Sequence, residues 1–450
     1  MNDFSKMTIK ELLRPEGYAC SCGRTHTTEL REFQLGAGVI RELPAALARM
    51  GCKKPFVVSD ENTDRVAGVQ VRKLLDENNI SYASHVFPPR AGHLEPDEYA
   101  VGAICMAFDP TCDVVLAVGS GVINDCCKVL AHTAHLPSLV VGTAPSMDGY
   151  ASDSSSMVQD RTKTTLYNAC PITIIADTDI LATAPEIMLK AGLGDMLAKY
   201  ISICEWRISH WVTGEYYCEN IAGLMRASLN KIRESAQGLL QRDKAAIEGV
   251  MEGLTLSGIA MSFAKISRPA SGLEHYFSHL WEMKALQGEC PSGLHGVQVG
   301  VGTCLTLKLF DRLRTLVPDR EKALNKVAAY SQEEWEKQMY TLFSEDVARG
   351  VIELENEIHK NDAQKHAQRL EQILLRWDDI QRLMAEELPT CDEIVSLMEE
   401  LRMDTTPEEL GLSRKDTLDA FFGAREIRDK YMTSSILWDL GVLEEFAQLL

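Results

Sequence analysis

Five short aliphatic and β-branched runs, at 55–59, 82–87, 114–118, 138–141 and 172–175, are apolar on both strand faces rather than on one. A strand of that kind has to be covered on both sides, which is the condition of a parallel sheet layered between helices. Helix-forming stretches fall between the runs, among them 96–107, with Pro96 and Asp97 at its start, and 124–134. The pattern predicts an α/β domain. Past Pro185 the strand signals almost vanish. Apolar residues recur at helical spacing instead, as in Leu189, Leu193, Leu197, Ile201 and Ile208, and in Leu370, Ile373, Leu374, Ile380 and Leu383. We therefore expect an α/β domain over residues 1–185 and an all-helical domain over 186–450. Within the latter, 331–387 is rich in Glu, Lys, Gln and Arg at helix-surface spacing and reads as solvated helical faces.

A chain of 450 residues with 45% apolar and 25% charged residues has material for a large core in two or three domains. Its 46 basic and 65 acidic residues give a net charge of −19, which disfavours nucleic acid or an anionic membrane as the main partner. An anionic ligand would need a local group of donors. No signal-peptide-like run opens the chain and no later segment reaches membrane-spanning length, so the expected location is cytoplasmic. The thirteen scattered cysteines, with Cys126 and Cys127 adjacent in a helical stretch, point to reduced thiols rather than a disulfide framework. Cys20, Cys22 and His26 could be part of a zinc knuckle, but a C-x-C spacing with no second Cys/His pair nearby favours small buried thiols in a strand or turn.

Two polar loops follow strand runs. Gly119-Ser120-Gly121 lies between the run 114–118 and a helical stretch, where main-chain N–H groups at a helix start could cradle a pyrophosphate. Asn124 stands where the third glycine of the dinucleotide fingerprint belongs, and no P-loop Lys-Ser pair follows. The run 138–141 leads into Gly142-Thr143-Ala144-Pro145-Ser146-Met147-Asp148, so two neighbouring strand ends converge on one crevice, the place where open α/β sheets bind nucleotides. Asp60, ending the run 55–59, suits an adenosine-ribose hydroxyl and would repel a 2′-phosphate, which tilts the choice toward NAD; it suits equally the cap of a helix near Thr63.

A second constellation pairs Gly192-Leu193-Gly194-Asp195 with His275-Tyr276-Phe277-Ser278-His279 and Leu294-His295-Gly296. One carboxylate and two imidazoles hold a divalent cation and leave a coordination position open, as in a catalytic site. His275 and His279 are four apart, so on a helix both rings share one face, and spacing alone favours that pair as ligands.

The ordered set Gly119-Ser120-Gly121, Asp125, Lys128, Thr143-Ala144-Pro145-Ser146, Asp148-Gly149, Ser152, Ala176-Asp177-Thr178 and Ala184-Pro185 resembles the superfamily of metal-dependent (iron-containing) alcohol and polyol dehydrogenases, which includes dehydroquinate synthase. Within it, the segment from Ser267 and Arg268 to His275 and His279, with His295-Gly296, is most similar to the sn-glycerol-1-phosphate dehydrogenases, and Ala424-Arg425-Glu426 through Tyr431 fits the same pattern. The resemblance implies a Rossmann-like nucleotide-binding domain followed by an all-helical metal-binding domain, the dehydroquinate synthase-like fold. It implies Asp195, His275 and His295 as metal ligands, with His279 left to the substrate. Asp148, Asp195 and His279 then form the catalytic, substrate-contacting group. The dinucleotide contacts become Gly119, Ser120, Gly121, Val122, Ile123, Thr143, Ala144, Pro145, Ser146 and Ser152, with Asp60 at the adenosine ribose.

The expected cofactors are NAD(H) or NADP(H) and one divalent metal, zinc or nickel with iron also admissible, since mixed N/O sites accept all three. The expected reaction is reversible hydride transfer, reducing dihydroxyacetone phosphate to sn-glycerol 1-phosphate. For the substrate phosphate, Arg268 is the first candidate and Arg161 and Lys163 the next. Three alternatives remain open: an unphosphorylated polyol dehydrogenase, a dehydroquinate-synthase-like lyase, and a nucleotide-binding regulator without turnover. A homodimer is the expected assembly.

Overall fold

The computed structural model describes residues 3–89, 93–160 and 162–450, so Arg161 lies outside the described residues. The chain forms two compact units: Met1–Met196 with Cys218–Pro269, and Leu197–Tyr217 with Ala270–Leu450.

The first unit is built on a six-stranded sheet. Its strands are β3 (Glu32–Gly36), β4 (Pro55–Asp60), β5 (Ala83–Phe87), β6 (Val114–Gly119), β7 (Ser138–Gly142) and β10 (Thr173–Asp177), in the spatial order β3-β10-β7-β6-β4-β5 and parallel throughout. The five expected runs are all strands of this sheet. The sixth, β3, escapes a reading by burial because it is an edge strand whose five residues are all half-buried. One face is closed by a core that joins Val57, Leu116, Val118, Leu139, Val141 and Ile175 to Ile40, Leu47, Val71 and Leu75. Burying whole aliphatic side chains in this way contributes about 1.5–3 kcal/mol each and fixes the sheet as a rigid platform.

Helix α1 (Gly121–Ala134) follows β6, and α2 (Glu186–Leu197) closes the first long segment of the unit. Two antiparallel hairpins, β1 (Tyr18–Ala19) with β2 (Thr25–His26) and β8 (Ser154–Gln159) with β9 (Thr162–Tyr167), stand apart from the main sheet. Two long helices, α3 (Glu219–Leu239) and α4 (Lys244–Ala264), also belong here, whereas the break expected at 185 put them in the second domain. They pack on each other through Gly253, whose carbonyl accepts the Ser228 hydroxyl at 2.7 Å, and α4 lays Met251 against Gly142 at the end of β7.

Among the described residues the second unit is helical. Helix α5 (Leu273–Leu286) packs on α6 (His295–Leu313) and α7 (Arg414–Ala424). Phe277 stacks on Phe421 with ring centroids 6.3 Å apart, and Lys284 pairs with Asp416 and Asp419 at 2.6 and 2.8 Å. The acidic stretch folds as helices Gln332–Leu342, Glu345–Ile358, Ala363–Leu375 and Trp377–Glu387. Each buries one stripe, Trp335 and Met339 in the first and Leu370 and Ile373 in the third, and leaves the rest to water. No helix among the described residues is long and apolar enough to cross a membrane.

Candidate functional site

In the first unit the two strand-end loops meet. Gly119 and Gly142 are register partners at the ends of β6 and β7, and the Thr143 N–H donates to the Gly119 carbonyl at 3.1 Å. The Tyr150 hydroxyl donates to the Ala144 carbonyl at 2.8 Å, and burial pushes this phenol up, so it remains a donor. Ser120 occupies the N-cap of α1 without a side-chain capping bond, leaving main-chain N–H groups to define that helix start. Ile123 is buried beneath the loop, where its side chain supports Gly119. Ser152 is buried too, with its hydroxyl 3.0 Å from the Gly149 and Ser154 carbonyls and 3.3 Å from Lys128 Nζ. Lys128 in turn pairs with Asp125 at 3.0 Å, so these two residues of the motif brace the loop.

Asp60 ends β4 beside β6. Its Oδ1 accepts the N–H groups of Asn62 and Thr63, both at 2.8 Å, which is the helix-capping alternative raised by the local sequence. Gly192, in α2, is needed for packing, because a Cβ there would lie 1.9 Å from the Pro145 carbonyl oxygen. One turn on, Asp195 is 1% exposed and its Oδ2 accepts the Asp148 N–H at 2.9 Å. The Asp148 carboxylate accepts the Ser257 hydroxyl at 2.8 Å. The expected ligand and the expected substrate contact are thus joined within this unit. Arg268 is 1% exposed, and Lys163 lies half-buried on β9.

In the second unit three histidines converge. His275 and His279 lie one turn apart on α5 with ring centroids 6.3 Å apart; His295, at the start of α6, lies 5.4 Å from each. Two carboxylates that the sequence reading passed over orient them. Glu274 Oε1 is 2.9 Å from His275 Nδ1, and Glu282 Oε1 is 2.6 Å from His295 Nδ1. A carboxylate accepts only, so each Nδ1 carries the proton and each Nε2 keeps its lone pair, a tautomer suited to binding a metal. Ser278 donates to Glu282 at 2.9 Å, and the Gly272 N–H to Glu274 at 2.6 Å, which hold the carboxylates in turn. The signal was present: Glu282 is four residues from Ser278, on the face that carries His275 and His279. His279, Glu282 and His295 also offer three ligand atoms within 4.8 Å of one another. Glu282 is already engaged by His295 Nδ1, which fits an orienting role better than ligation.

The motif from Ala424 to Tyr431 lines a polar cavity of about 290 Å³ with Lys360, Arg369, Arg425 and Lys430. Arg425 and Lys360 share Glu426 at 2.7 and 3.1 Å, and Arg369 pairs with Asp439 at 2.8 Å, so structural carboxylates hold three of these side chains in place.

The family of iron-containing alcohol dehydrogenases matches residues 34–185. The chain is 35% identical over 319 residues to a glycerol-1-phosphate dehydrogenase [NAD(P)+] of Bacillus licheniformis, covering 70% of this chain and 78% of that protein. It is 33% identical over 276 residues to the enzyme of the same name from Pyrococcus horikoshii, covering 61% and 77%. The fold is shared with a crystal structure of glycerol dehydrogenase from Schizosaccharomyces pombe, with a TM-score of 0.61, 17% identity, and 96% and 92% of the two chains covered.

Proposed function

Because this chain belongs to the family of glycerol-1-phosphate dehydrogenases, we propose that it catalyses the NAD(P)-dependent, metal-dependent, reversible reduction of dihydroxyacetone phosphate to sn-glycerol 1-phosphate. The observation that carries the reading is the 35% identity to the Bacillus licheniformis enzyme over 78% of that protein. The donor set supports it, with two histidines whose Nδ1 atoms are held by carboxylates and an aspartate buried beside Asp148.

In this reading Asp195, His275 and His295 hold the cation, which zinc, nickel or iron(II) would each satisfy. When bound, the cation supplies Lewis-acid polarisation of a substrate oxygen and the dinucleotide supplies the hydride. The chain's own residues do the rest. Gly119, Ser120, Gly121, Val122, Thr143, Ala144, Pro145 and Ser146 present the crevice for the pyrophosphate and nicotinamide ribose; Ile123 and Ser152 support it from below. Asp148, fixed by Ser257, orients substrate together with His279, and Arg268 is the donor for the phosphate.

The test is turnover of the purified chain with dihydroxyacetone phosphate and NADH or NADPH, after chelation and after zinc, nickel or iron(II) is restored. Metal-restored oxidation of the nicotinamide by the phosphate ester, far exceeding that by dihydroxyacetone, is expected. Equal use of both substrates would make the protein a polyol dehydrogenase, and no turnover with any metal would sink the reading.

A further inference from the structure

The hairpin β1–β2 and the start of α3 bring four thiol and imidazole groups together, three from the hairpin and one, Cys218, lying 192 residues beyond His26. Cys20 and Cys22 lie in the hairpin turn, His26 ends β2, and Cys218 is the residue before α3. One atom from each falls within 4.8 Å of all the others. The closest approaches are 3.6 Å between the Cys20 and Cys218 sulfurs, 3.3 Å between Cys22 Sγ and His26 Nε2, and 3.5 Å between Cys218 Sγ and the same nitrogen. A tetrahedral zinc with Zn–S of about 2.3 Å and Zn–N of about 2.05 Å has S···S edges of about 3.8 Å and S···N edges of about 3.6 Å. These three separations lie close to the edges of such a tetrahedron, and the remaining three lie within 4.8 Å.

We propose that Cys20, Cys22, His26 and Cys218 form a closed structural zinc site. The surroundings are built for it. His26 is fully buried and its Nδ1 lies 3.0 Å from the Phe263 carbonyl oxygen, which accepts only, so Nδ1 carries the proton and Nε2 offers its lone pair to the cluster. Two thiols crowd that single lone pair, and it satisfies one S–H at most; a cation satisfies all four atoms. The Asn220 amide donates to Cys20 Sγ at 3.2 Å, as an outer partner does for a ligating thiolate. Cys218 stands immediately before a 21-residue helix, buried against Cys20. The turn itself has the required shape: Gly23 takes φ +85° and its N–H closes on the Cys20 carbonyl at 3.1 Å, bringing Cys20 and Cys22 onto one side.

The site gives the hairpin its reason to be ordered. Each of its strands has two residues, far short of independent stability. Phe4 and Phe263 flank the His26 ring at 5.6 and 5.8 Å but leave the turn uncovered. Zinc would tie this N-terminal segment to α3, releasing to solvent the protons of the thiols it displaces.

The test is a metal count on the full chain purified without chelators. Wild type and His275→Ala should each retain a zinc that Cys22→Ser and Cys218→Ser lack, so the measurement is independent of the proposed catalytic centre. Because Cys218 is buried and its variant could unfold, the wild-type chain loaded with cobalt(II) provides a second reading. Intense thiolate-to-cobalt charge transfer and four-coordinate visible bands are expected, and a nitrogen–oxygen centre gives no such charge transfer. Cobalt-loaded protein without a thiolate band, a folded Cys22→Ser variant with the zinc content of wild type, or a Cys20–Cys218 disulfide in the intact mass would each overturn the proposal.

Discussion

The two candidate regions reach their ligands by different means. Around Gly119 and Gly142 the first unit offers main chain: strand ends in register, a helix start without a side-chain cap, and a loop pinned by Tyr150 and Lys128 from beneath. In the second unit the candidate ligands are imidazoles, and two of the three, His275 and His295, have Nδ1 held by a carboxylate. A main-chain site depends on packing and tolerates most side-chain changes that do not displace it. A side-chain site fails when one group is removed. The two should therefore answer mutation differently, and that contrast is testable.

The largest effect is expected at the histidines. His275→Ala or His295→Ala should abolish turnover and release the catalytic metal while far-UV circular dichroism stays native, because a catalytic cation is bound to a fold that stands without it. Glu282→Gln, which weakens the orientation of His295 without removing a ligand, should lower metal affinity by about 10–100-fold. Full metal occupancy in both histidine variants would end the assignment of these residues as ligands.

For the main-chain region the corresponding change is Gly192→Ala. The added methyl would meet the Pro145 carbonyl at 1.9 Å, so either the loop or α2 has to move. Overpacking of this kind costs about 1–3 kcal/mol. A lower melting temperature and a weaker NADH dissociation constant should appear together, since Pro145 is an expected dinucleotide contact. Unchanged affinity in a destabilised protein would separate the packing of α2 from cofactor binding.

Arg268→Ala comes next. Losing a charge-assisted contact to phosphate costs about 1.5–3 kcal/mol, or roughly ten- to hundredfold in affinity. The KM for dihydroxyacetone phosphate should rise by that factor while the KM for NADH stays put. Arg268 is 1% exposed, so its removal also leaves packed neighbours to readjust. A general loss of stability would depress kcat for every substrate, whereas a phosphate role shows as a KM change confined to the phosphorylated one. If dihydroxyacetone suffers equally, Arg268 supports the fold and Lys163 becomes the next candidate.

Legibility in the sequence follows burial. Strands covered on both faces, such as β6 and β7, print continuous aliphatic runs, while β3, half-buried at an edge with Glu32 and Gln34, and the Ser- and Thr-rich β8–β9 hairpin print nothing distinctive. The helices α3 and α4 carry the same 3.6-residue period as those of the second unit, and periodicity does not say which neighbour a helix packs on. His275 and His279 are legible because helical spacing places them together. The carboxylates that orient His275 and His295, Glu274 and Glu282, are buried on that same helix and detectable only by asking why charge sits on an apolar face. Cys218 is beyond such reasoning, since 192 residues separate it from His26.

The smallest effect sharpens the contrast most, because Asp60 is the one charged side chain among the expected dinucleotide contacts. Its carboxylate caps the short helix Glu61–Thr63 through two N–H groups at 2.8 Å. A role at the adenosine ribose would be carried by charge and by acceptor capacity, and a cap needs only an oxygen. Asp60→Ser separates the two, since serine caps about as well as aspartate but brings no charge to oppose a 2′-phosphate. Thermal stability should therefore stay close to wild type while the ratio of kcat/KM for NADPH to that for NADH rises. Asp60→Ala should show the same shift in ratio and, in addition, a loss of about 1 kcal/mol from the missing cap. If the cofactor ratio is unchanged in both variants and only the alanine variant loses stability, Asp60 is a helix cap alone, and the nucleotide region of this chain is built from main chain throughout.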